Sequence, residues 1–261
     1  METSYWQKQT PGEPLFSEIE WSKPEQRDRA GKLGIIGGNS SGFAGVAESY
    51  GVAMQTGVGQ TKVLLPNTLK KTVPATMNDV IFADTNPSGS LSKKALPEML
   101  ALGHWADGIL LAGDAGRNSE TAILYEEFTS AYDGKLIVTR DAIDLIKNSP
   151  QALAERPNTL LVMALAQLQK LFQSVYYPKM ITFSMNLSQI VEALHKFTIT
   201  YPICIAVLHK DQLIIAHDGK VVTTEWGNAM SIWRGITAAK IASYWLWNPD
   251  KPLESASTAI I

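Results

Sequence analysis

Lys32-Leu33-Gly34-Ile35-Ile36-Gly37-Gly38-Asn39-Ser40-Ser41-Gly42-Phe43 is the stretch on which the fold turns. A short apolar run ends on two glycines, and the small-residue stretch from Phe43 to Gln55 behind it reads as a helix. Thr61-Lys62-Val63-Leu64-Leu65-Pro66 then supplies a second strand. Strand, glycine turn, helix and strand in this order form a βαβ unit, which places the two strands parallel.

The same alternation runs on through the chain. Strands are predicted at Val80–Ala83, Gly108–Ala112, Lys135–Val138, Thr159–Met163 and Ile203–Leu208. Helices are predicted at Lys93–Leu102, Ser119–Tyr132, Ala164–Ser174, Leu187–Lys196 and Ser231–Leu246, with a hairpin at Leu213–Ala216 and Lys220–Thr224 around the Asp218-Gly219 turn. The expected fold class is α/β, a three-layer sandwich with a mainly parallel central sheet and helices on both faces. Residues 1–30 are polar, carry Pro11, Pro14 and Pro24, and read as an arm laid over a domain spanning 31–261, with Trp6 and Trp21 as its anchors.

At 261 residues with 45% hydrophobic and 18% charged residues, the chain has the composition of a globular protein with a large core. A formal net charge of −2 gives no footprint for nucleic acid or an anionic membrane. Four histidines and one cysteine are scattered, so their spacing supports neither a disulfide framework nor a metal cluster, and no metal is expected from it. Cys204 lies in the run Ile203–Leu208 and reads as a core thiol. No window approaches the roughly 18 apolar residues of a membrane span. The start, Met1-Glu2-Thr3-Ser4-Tyr5-Trp6, lacks a basic segment followed by an apolar one, so a cytoplasmic location is expected.

Three loops carry candidate chemistry. Gly37 and Gly38 permit close backbone approach, and the helix start near Ser40 and Ser41 offers amides to an anion; the same pair also serves a tight turn. Gly57-Val58-Gly59 reads either as part of that wall or as a helix cap and turn. Leu111-Ala112-Gly113-Asp114-Ala115-Gly116-Arg117-Asn118 leaves a buried strand for a helix. In a parallel sheet that places Asp114 and Arg117 at a ligand crevice, unless the loop is solvated and Asn118 merely caps the helix. Trp233, Tyr244, Trp245 and Trp247 read as core or as a subunit interface, the latter implying a homo-oligomer.

Gly37, Ala44-Gly45, Thr56-Gly57-Val58-Gly59 and the strand ending at Pro66 together resemble the opening of the ATP- or ADP-dependent NAD(P)H-hydrate dehydratases, members of the ribokinase-like superfamily. The resemblance covers about residues 30 to 247. It implies a ribokinase-like sandwich, a nucleotide or dinucleotide ligand, ATP or ADP as cosubstrate with Mg2+, and lyase chemistry that removes water from a hydrated nicotinamide cofactor. Substrate contacts carry over onto Gly37, Gly38, Asn39, Gly45, Asp114 and Asp141. Nucleotide contacts carry over onto His209, Lys210, Asn228, Ala229, Met230 and Ser231.

Several motif positions depart from the family. Ala112-Gly113-Asp114-Ala115-Gly116 stands for Gly-Pro-Gly-Leu-Gly, Asp141 alone remains of an acidic pair, and Ala164 stands where the family has a substrate-contacting histidine. Asn228-Ala229-Met230-Ser231 stands for Gly-Thr/Ser-Gly-Asp, so the glycines of the anion hole are lost, Met230 is expected to project into the phosphate space, and Ser231 occupies the place of the general base. Losing a positioned base costs ~10²–10⁴-fold in rate. His209, Lys210 and Arg234 are the cations available to hold a phosphate instead, or are ordinary exposed charges. Three readings follow: a divergent binder with weak or lost dehydratase activity, an active dehydratase or small-molecule kinase relying on Asp114 or Asp141, and a structural or regulatory homo-oligomer subunit.

Overall fold

The computed structural model describes residues 4–146 and 148–261. Among them ten strands build one sheet: β1 (Trp6–Gln9), β2 (Lys32–Gly37), β3 (Gln60–Pro66), β4 (Val80–Ala83), β5 (Gly108–Gly113), β6 (Lys135–Thr139), β7 (Thr159–Ala164), β8 (Cys204–His209), β9 (Gln212–His217) and β10 (Lys220–Glu225). The α-helices are α1 (Ser17–Trp21), α2 (Ala44–Thr56), α3 (Leu96–Trp105), α4 (Ser119–Ala131), α5 (Asp141–Leu145) and α6 (Pro150–Glu155) in the first part of the chain. They continue with α7 (Leu165–Ser174), α8 (Leu187–Thr200), α9 (Ala229–Trp233), α10 (Ile236–Trp247) and α11 (Pro252–Ala259).

The strand order is β1-β10-β9-β8-β7-β6-β5-β2-β3-β4, parallel from β8 through β4 and antiparallel in the β8-β9-β10 meander. The inner strands are apolar on both faces because helices cover both. On β5, Ile109 and Leu111 pack into one core with residues of α3, α4, α7 and α8, whereas Leu110 and Ala112 pack into the other with residues of α2, α10 and α11. The Asp218-Gly219 turn adopts φ 47° and 71°, as the hairpin reading requires.

From β2 the chain winds outward to β3 and β4, then returns to β5 on the other side of β2. The strand order therefore reverses between β2 and β5, and ligands of open α/β sheets bind in the crevice at such a point. Gly37 closes this junction. A Cβ there would collide with the Gly113 carbonyl and lie 2.8 Å from Val46 Cγ2, so only glycine lets the two strand ends approach.

Three expectations need correction. The helix predicted over Ser231–Leu246 is two helices, α9 and α10, because Gly235 adopts φ 86° and ends the first. The arm joins the sheet: β1 pairs parallel with β10, Trp6 Nε1 donates to Thr223 Oγ1 at 2.9 Å, and Gln9 Nε2 donates to Ser257 O at 2.8 Å. Trp21, read as an anchor, is 87% exposed instead.

Candidate ligand site at the carboxyl edge of the sheet

The loops after β2, β5, β6 and β7, four neighbouring parallel strands, leave the sheet at one edge. They bring together Gly37, Gly38, Asn39 and Gly45 with Asp114 and Asp141, all of which the sequence nominates. Asn39 Nδ2 donates to Asp114 O at 2.6 Å, and the Gly45 N–H donates to Asp114 Oδ2 at 2.6 Å. Asp141 receives the Asp114 and Ala115 N–H groups on its two carboxylate oxygens, at 2.8 and 3.0 Å. Both carboxylates thus neutralise backbone amides, Asp114 in the first turn of α2 and Asp141 in the loop after β5.

The glycine loop behaves differently from its expected anion cradle. Gly38 N–H donates to Gly113 O (3.0 Å), Asn39 N–H to Gly42 O (3.0 Å), Ser40 N–H to Gly89 O (2.9 Å), Ser41 N–H to Asn39 Oδ1 (2.7 Å) and Gly42 N–H to Asn39 O (2.9 Å). Every amide from 38 to 42 is spent on a protein acceptor, three within the loop and two on Gly113 and Gly89, so this stretch is a tight turn with no free amide donors for a phosphate. Gly57, with φ 103°, caps α2, and the Asn118 side chain caps α4 by accepting from the Glu120 N–H at 2.8 Å. Arg117 is exposed beside it.

Arg140 is the site residue that the sequence did not nominate. Its Nη2 lies 2.6 Å from Asp114 Oδ1 and its Nη1 donates to Ala112 O at 3.4 Å. The residue holds φ 58° and ψ −141°, a combination that side-chain-bearing residues rarely adopt. Gln167 Nε2 anchors its carbonyl at 2.8 Å. Beneath the pair, the Tyr125 hydroxyl is fully buried without a partner among the described residues, and burial together with the charges of Asp141 and Asp114 pushes its pKa far up.

At the other end of the crevice, Asn228 Oδ1 accepts from the Ser231 N–H at 3.2 Å, and the Ser231 hydroxyl donates to Asn228 O at 2.8 Å beside Thr237 Oγ1 at 3.0 Å. Ala229 opens the five-residue helix α9. Met230, expected to project into the phosphate space, is 49% exposed. His209 continues the inward alternation of Ile205 and Val207, is 2% exposed, and makes a 2.9 Å hydrogen bond between Nε2 and Met185 O. It is a core residue and not a phosphate cation. Lys210 occupies the exposed turn after β8 at φ 55°, and Arg234 leans on Glu48 with Nη1 3.5 Å from Oε1.

Between the two ends lies a cleft of about 220 Å³, walled by Thr139, Arg140, Val162, Ala164, Gln167, Ile232 and Trp233. A larger hollow of about 450 Å³ opens at the opposite edge of the sheet, around Lys62 and Trp105, and includes Gly59 of the Gly57-Val58-Gly59 stretch but neither Asp114 nor Asp141. Among the described residues, no group of three or more His, Cys, Asp or Glu side chains is arranged to hold a metal ion, and no helix is long and apolar enough to cross a membrane.

No protein-family model matches the sequence, and no curated protein does. Solved structures share its fold. A ribokinase-like superfamily protein of Enterococcus faecalis V583 superposes with a TM-score of 0.74 at 13% identity, covering 99% of this chain and 87% of that one. An ADP/ATP-dependent NAD(P)H-hydrate dehydratase of Bacillus subtilis, co-crystallised with ATP/Mg2+ and soaked with CoA, gives 0.63 at 14% identity over 95% and 86% of the two chains. The pyridoxal kinase of Staphylococcus aureus in complex with AMP-PCP and pyridoxal gives 0.52 at 14% over 88% and 84%. At these identities the likeness establishes the fold, a ribokinase-like α/β sandwich with a mostly parallel sheet.

Proposed function

We propose that this chain is a divergent NAD(P)H-hydrate dehydratase-like protein that binds a nucleotide or dinucleotide in the cleft beside Arg140 and Ser231, with dehydratase turnover weak or lost. The carrying observation is the state of Ser231: its hydroxyl is bound to Asn228 O and Thr237 Oγ1, where proton abstraction needs a carboxylate. Asp114, the alternative base, is committed to Arg140 and to the Gly45 amide. Mg2+ fits this site only as a companion of the ligand's phosphates, since the described residues supply no dedicated ligand cluster.

Calorimetric titration with ATP, ADP and NADH tests the reading. Sub-millimolar binding of at least one is expected, and failure of all three removes it. Hydrated NADH should turn over slowly or not at all with ATP or ADP present. Brisk turnover that disappears in Asp114→Asn would favour the active-enzyme reading, which rests on Asp114 lying at the strand-order reversal. The oligomer reading rests on Trp233 and Met230, 56% and 49% exposed on α9. A monomeric mass in solution would remove it.

A further inference from the structure

Several features of the fold converge on Arg140. Its own backbone takes the glycine-like φ 58°. Gly45 is a glycine where any Cβ would run into the Arg140 guanidinium. Gly235, at φ 86°, has its Cβ position 3.7 Å from Arg140 Cδ and 3.1 Å from Ser49 Oγ. That serine hydroxyl is fully buried and has no partner among the described residues. Arg140 is also among the residues that line the 220 Å³ cleft.

A guanidinium fork carries five N–H donors suited to a planar or tetrahedral oxyanion. Here the protein supplies Asp114 Oδ1 and, more weakly, Ala112 O, while Arg140 Nε has no acceptor among the described residues. The other oxygen of the same carboxylate sits on the Gly45 amide. One side chain therefore fills both halves of an oxyanion seat: the arginine fork and the amide facing it.

We infer that Arg140 and the Gly45 amide form the seat for a phosphate group of the ligand, and that Asp114 is its internal occupant, displaced when the ligand arrives. The seat deepens the reading that the cleft takes a nucleotide or dinucleotide, and it puts a phosphate at the strand-order reversal instead of beside α9. Displacement exchanges one anion for another on the same donors, so the arginine charge stays compensated in both states. It leaves Asp114 to reorient away from the incoming phosphate, since two anions cannot share the fork.

Inorganic pyrophosphate is the probe, titrated calorimetrically into the wild type, Asp114→Asn and Arg140→Gln, each checked for folding by its thermal transition. Removing the competing charge in Asp114→Asn should tighten pyrophosphate by about tenfold. Arg140→Gln should abolish the binding. Asp114→Ala provides the same comparison if the asparagine variant does not fold, and Arg140→Lys, which keeps the charge but not the fork, should fall well below wild type. Equal or weaker binding in a folded Asp114 variant overturns the seat, as does wild-type binding in a folded Arg140 variant. The two readings fail separately. Nucleotide binding with pyrophosphate binding indifferent to Asp114 sinks only the seat, whereas the pyrophosphate pattern without ATP, ADP or NADH binding sinks only the nucleotide reading.

Discussion

The two ends of the crevice dispose of their backbone amides by different chemistry. Around β2 and β5, the amides of Gly45, Asp114 and Ala115 are received by carboxylates, and one of those carboxylates is paired with an arginine. Before α10, the Ser231 amide is received by the neutral Asn228 side chain, and the Ser231 hydroxyl closes on its neighbours. A charged, half-buried network is costly to leave incomplete and exchanges partners readily when another anion arrives. A neutral cap stabilises a helix end and offers neither a base nor a charge. On the proposed reading, this difference assigns ligand recognition to the first end and accounts for the lack of proton transfer expected at the second.

The sharpest way to break this contrast is at the strand junction. Gly37→Ala drives a Cβ into the Gly113 carbonyl, a backbone atom that cannot rotate away, and pushes β2 and β5 apart under Asp114. A loss of about 3–4 kcal/mol is expected from such overpacking. Urea unfolding that shows the variant within error of wild type would mean that the junction is slack. Asp141→Ala strips the Asp114 and Ala115 amides of their acceptors and should cost about 2 kcal/mol. A shift in the urea midpoint without a change of slope is the expected signature.

How much of this was legible in the sequence depended on whether a residue's role was local. β2, β3, β5, β6, β7 and α2 follow one apolar period each, bounded by glycines or a proline, and lie within a residue or two of their predicted limits. β1 has only Trp6 as an apolar residue and exists through backbone pairing with β10, which no local pattern announces. The break at Gly235 is hidden because the apolar period of α9 and α10 is continuous. What breaks it is the left-handed φ of 86° at Gly235, whose Cβ position lies 3.1 Å from Ser49 Oγ and 3.7 Å from Arg140 Cδ, both from elsewhere in the chain. Arg140 escaped notice for the same reason: its environment is made by Gly45, Asp114 and Gly235, each remote in sequence. His209 had a usable signal, since Ile205, Val207 and His209 alternate onto one buried face.

At the neutral end the effects should be smaller. Ser231→Ala removes a hydroxyl that donates to Asn228 O and meets Thr237 Oγ1, but leaves its amide capped by Asn228. A loss of about 1 kcal/mol is expected, half or less of the Asp141 effect. An equal or larger loss would erase the distinction between the two ends. The smallest effect tests the boundary of the charged network. Tyr125→Phe removes a phenol that makes no hydrogen bond among the described residues although it lies under Asp114 and Asp141. Deleting an unsatisfied buried hydroxyl should change stability by no more than about 0.5 kcal/mol, or raise it slightly, because the folded state then buries no unpaired donor. A loss above 1.5 kcal/mol would show that Tyr125 is bonded into the network after all, and that the carboxylate pair draws support from the α4 side of the sheet as well as from Arg140.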